Sequence, residues 1–255
     1  MNGFTLHNIT HSSPSSINMY ANAPCAWVAK YLLGRSFNFS NAAKAGTLAE
    51  EAVVNILANG WDEGKAIAEA IGEYNKALAF GASDADRKRG DAIPGMVTQA
   101  VAELKQYGEP DVNCDLIYGK RQHKAEMLCK GDGWELPVTG YLDFYYPQHG
   151  LIIDLKTTMR LPSEMSDEHM RQGAFYKGVK GHHAVRFLYV SGKGMKVFEV
   201  GDAGPVLAEF KTLLTRQERF LRLGNADLLK SVVPVNASSF YWSSDSELRK
   251  TLFGI

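Results

Sequence analysis

Glu50, Asp143, Asp154 and Lys156, followed by Gln172 and Tyr176, are the side chains whose types and spacing could do chemistry in this sequence. Asp154-Leu155-Lys156 sets a carboxylate and an ammonium two positions apart, so on a strand they share a face. Asp143 follows Gly140 by three positions in a run from about Val138 to Tyr146, rich in β-branched and aromatic residues. A second such run covers Leu151 to Thr157, with Pro147-Gln148-His149-Gly150 between them, and the pair reads as a β-hairpin. A symmetric turn pairs Tyr146 with Leu151 and Tyr145 with Ile152. Continued outward, it sets Asp143 opposite Asp154 and Tyr141 opposite Lys156. Directly opposed Cβ atoms lie roughly 4.5–5.5 Å apart, and like charges placed so are destabilising. Two facing carboxylates in an apolar hairpin therefore need a cation. A hard divalent ion with oxygen ligands is the natural one, and Lys156 is a second positive charge beside it. The alternative is a surface hairpin whose carboxylates face water.

The third acid comes from a helix expected over Ala45 to Leu57, opened by Gly46 and Thr47. Glu50 shares a face with Val53, Val54 and Leu57, whereas Glu51 falls with Asn55 and Ala58 and points away. An unpaired buried carboxylate is costly, so Glu50 on that stripe wants a partner or a metal; a helix-rim glutamate reaching solvent is the other reading. Three converging carboxylates can hold Mg²⁺ or Mn²⁺, with water or substrate phosphate completing the octahedron. Such an ion polarises a phosphoryl oxygen and lowers the pKa of a bound water. Lys156 could orient that water and offset charge in the transition state; acting as a base as well would require its pKa to be lowered, which the sequence leaves open. Gln172 and Tyr176, four apart on one helical face, offer neutral hydrogen bonds and an aromatic surface to a phosphate or base.

The elements that must position these groups are legible in outline. Ser12-Ser13-Pro14-Ser15-Ser16 opens a helix running through Ile17, Tyr20, Trp27, Tyr31 and Leu32, interrupted at Pro24 and stopped near Gly34. Amphipathic helices are expected over Asp62 to Phe80 and over Ala85 to Tyr107, the second broken or kinked at Pro94-Gly95. Short strands are expected over Asp115 to Tyr118 and over Ala125 to Cys129. Between them Lys120-Arg121-Gln122-His123-Lys124 forms a basic turn, fit for backbone phosphate or simply for solvent. Ser166-Asp167-Glu168 caps a helix ending near Gly181. Val185 to Val190 and Met195 to Val200 read as strands. Pro205 to Leu223 reads as an amphipathic helix with Lys211, Arg216, Glu218 and Arg222 on its wet side. Phe240-Tyr241-Trp242 closes over an edge. The fold expected is a mixed α/β core, a central mixed β-sheet flanked by helices. It is expected as one domain over 1–255, with a helical part over 1–110, a sheet core over 111–230 and a tail over 231–255.

Composition narrows the function class. The 255 residues are 45% hydrophobic and carry 28 basic and 28 acidic side chains. Zero formal charge means that any polyanion site must come from local clustering. Three widely spaced cysteines, Cys25, Cys114 and Cys129, argue against a disulfide framework and fit a reducing compartment. No signal peptide or membrane span is visible, so the expectation is a soluble cytoplasmic protein. No Gly-x-x-x-x-Gly-Lys-Ser/Thr loop for a nucleotide-driven motor is present.

The order Ser13-Pro14-Ser15-Ser16 with Cys25 and Trp27, Gly46 to Glu50, Gly140-x-x-Asp143, Asp154-x-Lys156 and Gln172-x-x-x-Tyr176 resembles the PD-(D/E)XK nuclease superfamily. It resembles most closely the RecB-like exonuclease branch with its phage-encoded members, over about Ser12 to Tyr176. The resemblance implies a restriction-endonuclease-like core. It implies Glu50, Asp143 and Asp154 as metal ligands together with the Leu155 carbonyl, Lys156 as the catalytic lysine, and Gln172 and Tyr176 at DNA; apart from the resemblance, Lys120, Arg121 and Lys124 of the basic run are candidate DNA contacts. Many relatives carry histidine where this chain has Glu50, and glutamate is an accepted oxygen ligand. Some relatives bind an iron–sulfur cluster through one N-terminal and three C-terminal cysteines. Cys25 matches the first, but no cysteine follows Cys129, so no cluster is expected and Cys25 becomes a small buried residue. The activity implied is a Mg²⁺-dependent DNA exonuclease, with Mn²⁺ substituting, in recombination, repair or phage DNA metabolism. A homo-oligomer and a recombination or single-strand-binding partner protein stay open. The alternatives are a structure-specific or restriction-type endonuclease and a non-catalytic DNA-binding or assembly module.

Overall fold

The computed structural model describes residues 1–38, 40–79, 81–112, 116–117 and 120–255, without the side chains of 116, 117, 120 and 121. Cys114, Phe80 and both ends of the strand expected over Asp115 to Tyr118 lie outside the described residues. Helices α1 (Gly3–Leu6), α2 (Pro14–Asn22), α3 (Pro24–Tyr31), α4 (Asn41–Asn59), α5 (Glu63–Ala77) and α6 (Asp84–Leu104) come first. Strands β1 (Leu116–Ile117), β2 (Lys120–Arg121), β3 (His123–Gly131), β4 (Trp134–Leu142), β5 (Phe144–Tyr146) and β6 (Leu151–Thr157) follow. Then come α7 (Asp167–Lys180), β7 (Ala184–Ser191), β8 (Gly194–Glu199), α8 (Gly204–Leu221), α9 (Ala226–Val232) and α10 (Ser246–Phe253).

The central sheet runs β5-β6-β7-β8. The β6–β7 pair is parallel, with α7 as its crossover, and the other pairs are antiparallel. Period-two alternation along β6 sorts the core into two layers. Leu151, Ile153 and Leu155 pack with Leu188 and Val190 against Val53 of α4 and Ile93 and Val97 of α6. Ile152 packs with Phe187 and Tyr189 toward Phe175 and Tyr176 of α7. Asp154 and Lys156 are in phase with Ile152, so they face the α7 layer. The mixed α/β architecture expected from the sequence is what forms.

Local signals explain most boundaries. Ser13 accepts from the Ser16 N–H at 3.1 Å with Pro14 in the first turn, and Pro24 restarts the chain as α3. Ser166 caps α7, and Gly181 ends it. Helix α4 is longer than the expected 45–57, because Ser40 caps it at Ala43 and Gly60, at φ 66°, stops it.

Four expectations need correction. The strand expected over Val138 to Tyr146 is two strands: β4 pairs with β3, where Tyr141 faces Lys124 rather than Lys156, and only β5 pairs with β6. The register at Tyr146–Leu151 and Tyr145–Ile152 is as expected, but the ladder ends at Phe144–Ile153 and Asp143 is a bend. Helix α6 is not broken at Pro94, because buried Ile93, Met96, Val97, Ala100 and Val101 continue its apolar stripe across the proline. The segment 120–124 is not a turn, since it belongs to β2 and β3 with Gln122 between them. Finally, Glu218 is on the buried side of α8, where it accepts from the Gly3 N–H at 3.0 Å and pairs with Arg222 at 2.5 Å.

Candidate active site

Asp143 reaches the site because β4 turns away from β6. The Leu155 N–H beyond the end of the β5–β6 ladder is accepted by Asp143 Oδ2 at 3.1 Å. Its Oδ1 accepts from Gln122 Nε2 at 3.2 Å. Asp154, 1% exposed, accepts from Gln172 Nε2 at 2.7 Å on Oδ2, while the Lys156 ammonium sits against Oδ1. That ammonium is the charged partner and hydrogen-bond donor of Oδ1. Gln172 Nε2 also lies 2.8 Å from the Tyr176 hydroxyl, which donates to the Tyr141 carbonyl at 2.6 Å. Helix α7 is thus tied to β4 and β6 through the two residues expected at DNA.

Gly140 makes this closeness available. A Cβ there would stand 2.9 Å from a Phe175 ring carbon and 3.0 Å from one of Tyr176. The glycine three positions before Asp143 is therefore a packing requirement, since α7 presses directly on β4. Gly46 plays the same part for α4, where a Cβ would meet Thr157 Oγ1 at 2.8 Å.

Electrostatics mark the site. Burial, then the charges of Asp154 and Glu50, hold the Asp143 carboxyl well above the usual carboxylate range, against the pull of Lys156. Burial also raises Asp154, opposed by Lys156 and assisted by Glu50. Burial pushes the Lys156 ammonium down, but Asp154, Asp143 and Glu50 outweigh it and the net shift is upward. Lys156 is therefore held as a cation, not poised as a base. The acids raise one another's pKa, and the single ammonium only partly opposes that.

Asp143 and Lys156 floor a cleft of about 1190 Å³ also lined by Gln172, Tyr176 and Lys124, with Asp154 buried behind them. Ser13 and Ser15 join the lining because the chain before α2 docks on β4, with the Ser12 N–H donating to the Pro137 carbonyl at 2.9 Å. Glu50 is half-buried and does not line the cleft; it belongs to the helical layer on the other face of β6, and its charge reaches Asp143 and Asp154. Among the described residues no three His, Cys, Asp or Glu side chains gather closely enough to hold a metal ion by themselves. Mg²⁺ needs only one or two protein carboxylates, with water and phosphate supplying the rest. The all-oxygen donors, and the burial and mutual repulsion that hold both carboxyls above their usual range, fit such an ion.

Lys124 stands at the rim, paired with Glu126 at 2.5 Å. The backbone of Lys120 and Arg121 lies in β2, and their side chains are outside the described residues. Gln122 and His169 are site residues that sequence reading missed. Gln122 was hidden in a basic run, whereas His169, three positions before Gln172 on the same helical face, was open to the periodicity that found Tyr176. Cys25 is fully buried in the α3 core, as expected.

No protein-family model matches the chain, and no curated protein does. Solved structures overlap it loosely. The crystal structure of SSO0001 aligns with a TM-score of 0.37 at 14% identity, covering 77% of this chain and 93% of that one. Scheffersomyces stipitis Rai1, in complex with (3'-NADP)+ and calcium ion, aligns with a TM-score of 0.29 at 10% identity, over 74% of this chain and 60% of its own length. A second structure of that Rai1 gives 0.27 and 9%, over 85% of this chain and 67% of its own. Overlaps this low carry no argument about activity.

Proposed function

We propose that this chain is a divalent-metal-dependent phosphodiesterase acting on DNA, and specifically an exonuclease that works from DNA ends. The observation that carries the reading is the acid pair, half-buried Asp143 lining an open cleft and buried Asp154 behind it, both held above the usual carboxylate range, with Lys156 beside them. A fold that only needed stability would not set two repelling acids there. The motif order from Ser13 to Tyr176 supports the nuclease assignment.

Asp143 and Asp154 would hold Mg²⁺ or Mn²⁺ together with the Leu155 carbonyl, and Glu50 would add negative charge from the opposite helical layer. Bound there, the ion supplies polarisation of a phosphoryl oxygen and an activated water. The protein does the rest. Lys156 keeps an ammonium on the cleft floor, where negative charge grows in the transition state. Gln172 and Gln122 fix one oxygen of each carboxylate, so neither acid swings when substrate enters. Tyr176, locked to the Tyr141 carbonyl, holds Gln172 in place.

The test is incubation of the purified protein with end-labelled linear, nicked and closed circular duplexes in Mg²⁺, in Mn²⁺ and in EDTA. Metal-dependent shortening of linear DNA with circles spared is the expected result. Cleaved circles would make the enzyme an endonuclease. No degradation in either metal would leave a DNA-binding module and end the catalytic reading.

A further inference from the structure

His169 is used neither by the proposed metal set nor by the Gln172–Tyr176 pair. It lies at the junction of two clefts, lining the one floored by Asp143 and Lys156 and also a second of about 990 Å³. Arg160, Met165, Tyr189 and Lys196 line the second cleft. The imidazole is fixed on two sides. It stacks on Phe187, with centroids 5.5 Å apart and planes at 17°, and its Nδ1 lies 2.5 Å from the Tyr189 hydroxyl. The Lys156 ammonium sits 5.5 Å from the centroid of the same Phe187 ring, so His169 is anchored to the platform that carries the lysine.

Nδ1 is occupied by Tyr189, a phenol that burial raises above its usual range and that keeps its proton. Nε2 is the ring nitrogen left for another partner.

We infer that His169 contacts substrate, its Nε2–H donating to a non-bridging oxygen of the phosphodiester next to the scissile one, where the strand passes from the first cleft into the second. The inference rests on the phosphodiesterase reading. Burial and the charge of Lys156 hold the imidazole down to about 4, so the contact is a neutral N–H donor through the neutral range. Lys196 does not substitute for it, because its ammonium is tied to the Pro162 and Ser163 carbonyls at 3.2 and 2.7 Å.

The test is steady-state cleavage of end-labelled linear duplex in Mg²⁺ by wild type, His169→Ala and His169→Gln, with the melting temperature of each. Glutamine keeps an N–H near the position of Nε2. His169→Ala is expected to raise KM about tenfold, equivalent to about 1.4 kcal/mol, with kcat within about threefold, and His169→Gln to recover most of it. An unchanged KM in His169→Ala overturns the inference. So does an equal rise in both variants, which would assign the effect to ring stacking on Phe187. A wild type that cleaves no DNA removes the phosphodiesterase reading itself, and this contact with it; a cleaving wild type matched by His169→Ala removes only the contact.

Discussion

Under the proposed function, Asp143 and Asp154 cost the fold stability. Asp154 is buried, Asp143 half-buried, the two repel, and Glu50 adds to the repulsion. Asp143→Asn keeps the shape and removes one charge. Its melting temperature in EDTA is expected to exceed that of wild type by a few degrees, roughly 1–2 kcal/mol for a domain of this size, while cleavage falls by about 10²–10³. A lower melting temperature would show that Asp143 serves the fold. His169 makes a pH-dependent contribution whose sign is opposite to that of the raised carboxyls Asp143 and Asp154. In the unfolded chain the imidazole takes a proton near 6.5; in the folded chain, buried and beside Lys156, it does so only near 4. Between those values the unfolded state binds more protons, so stability present above about 6.5 is lost as pH falls toward 4. Melting curves from pH 7 to 4.5 are expected to fall more steeply for wild type than for His169→Gln. At this scale the sequence exposed Asp154 and Lys156 through period-two spacing. It could not expose Gln122, whose role as a donor to Asp143 depends on where β3 lies.

Elements are placed by close approach. Helix α7 meets β4 with no room for a side chain at Gly140. Gly140→Ala must push Phe175 and Tyr176 away, and Gln172 moves with them. A loss of about 1–3 kcal/mol, read from the denaturation midpoint, is expected together with a lower kcat; an alanine variant of wild-type stability and turnover would mean that α7 need not sit so close. Glu218 makes a complementary case at the other end of the molecule. Glu218→Ala strands the buried Gly3 N–H, and about 1–3 kcal/mol of stability is expected to go with it, with activity per folded molecule unchanged. Periodicity located α2, α3, α7, β7 and β8, because caps, prolines and alternation act locally. It missed the break at Asp143, since β4 leaves β6 to pair with β3, a choice made by distant partners. It misplaced Glu218 for the same reason: a helical face is dry only if something covers it, and here the chain's own N-terminus does.

Across the whole molecule, a sheet with helices on both faces sets a single cleft wall from three sources: β4 and the chain before α2, β6, and α7. The sequence conveyed this architecture because its helical and strand periods are distinct and long enough to read. It conveyed less of Glu50, which comes from the opposite helical layer and meets the acid pair through its charge rather than by lining the cleft. With net charge near zero, the proposed attraction of DNA would fall to local groups such as Lys30 and Lys124 in the cleft lining. The most direct measurement compares wild type with Lys156→Ala on end-labelled linear duplex in Mg²⁺. Wild type is expected to shorten the DNA only when the ion is present, and Lys156→Ala to lose at least about 10²-fold of that rate. Equal rates for the two proteins, or shortening that persists in EDTA, would contradict a metal-dependent phosphodiesterase built on Asp143, Asp154 and Lys156.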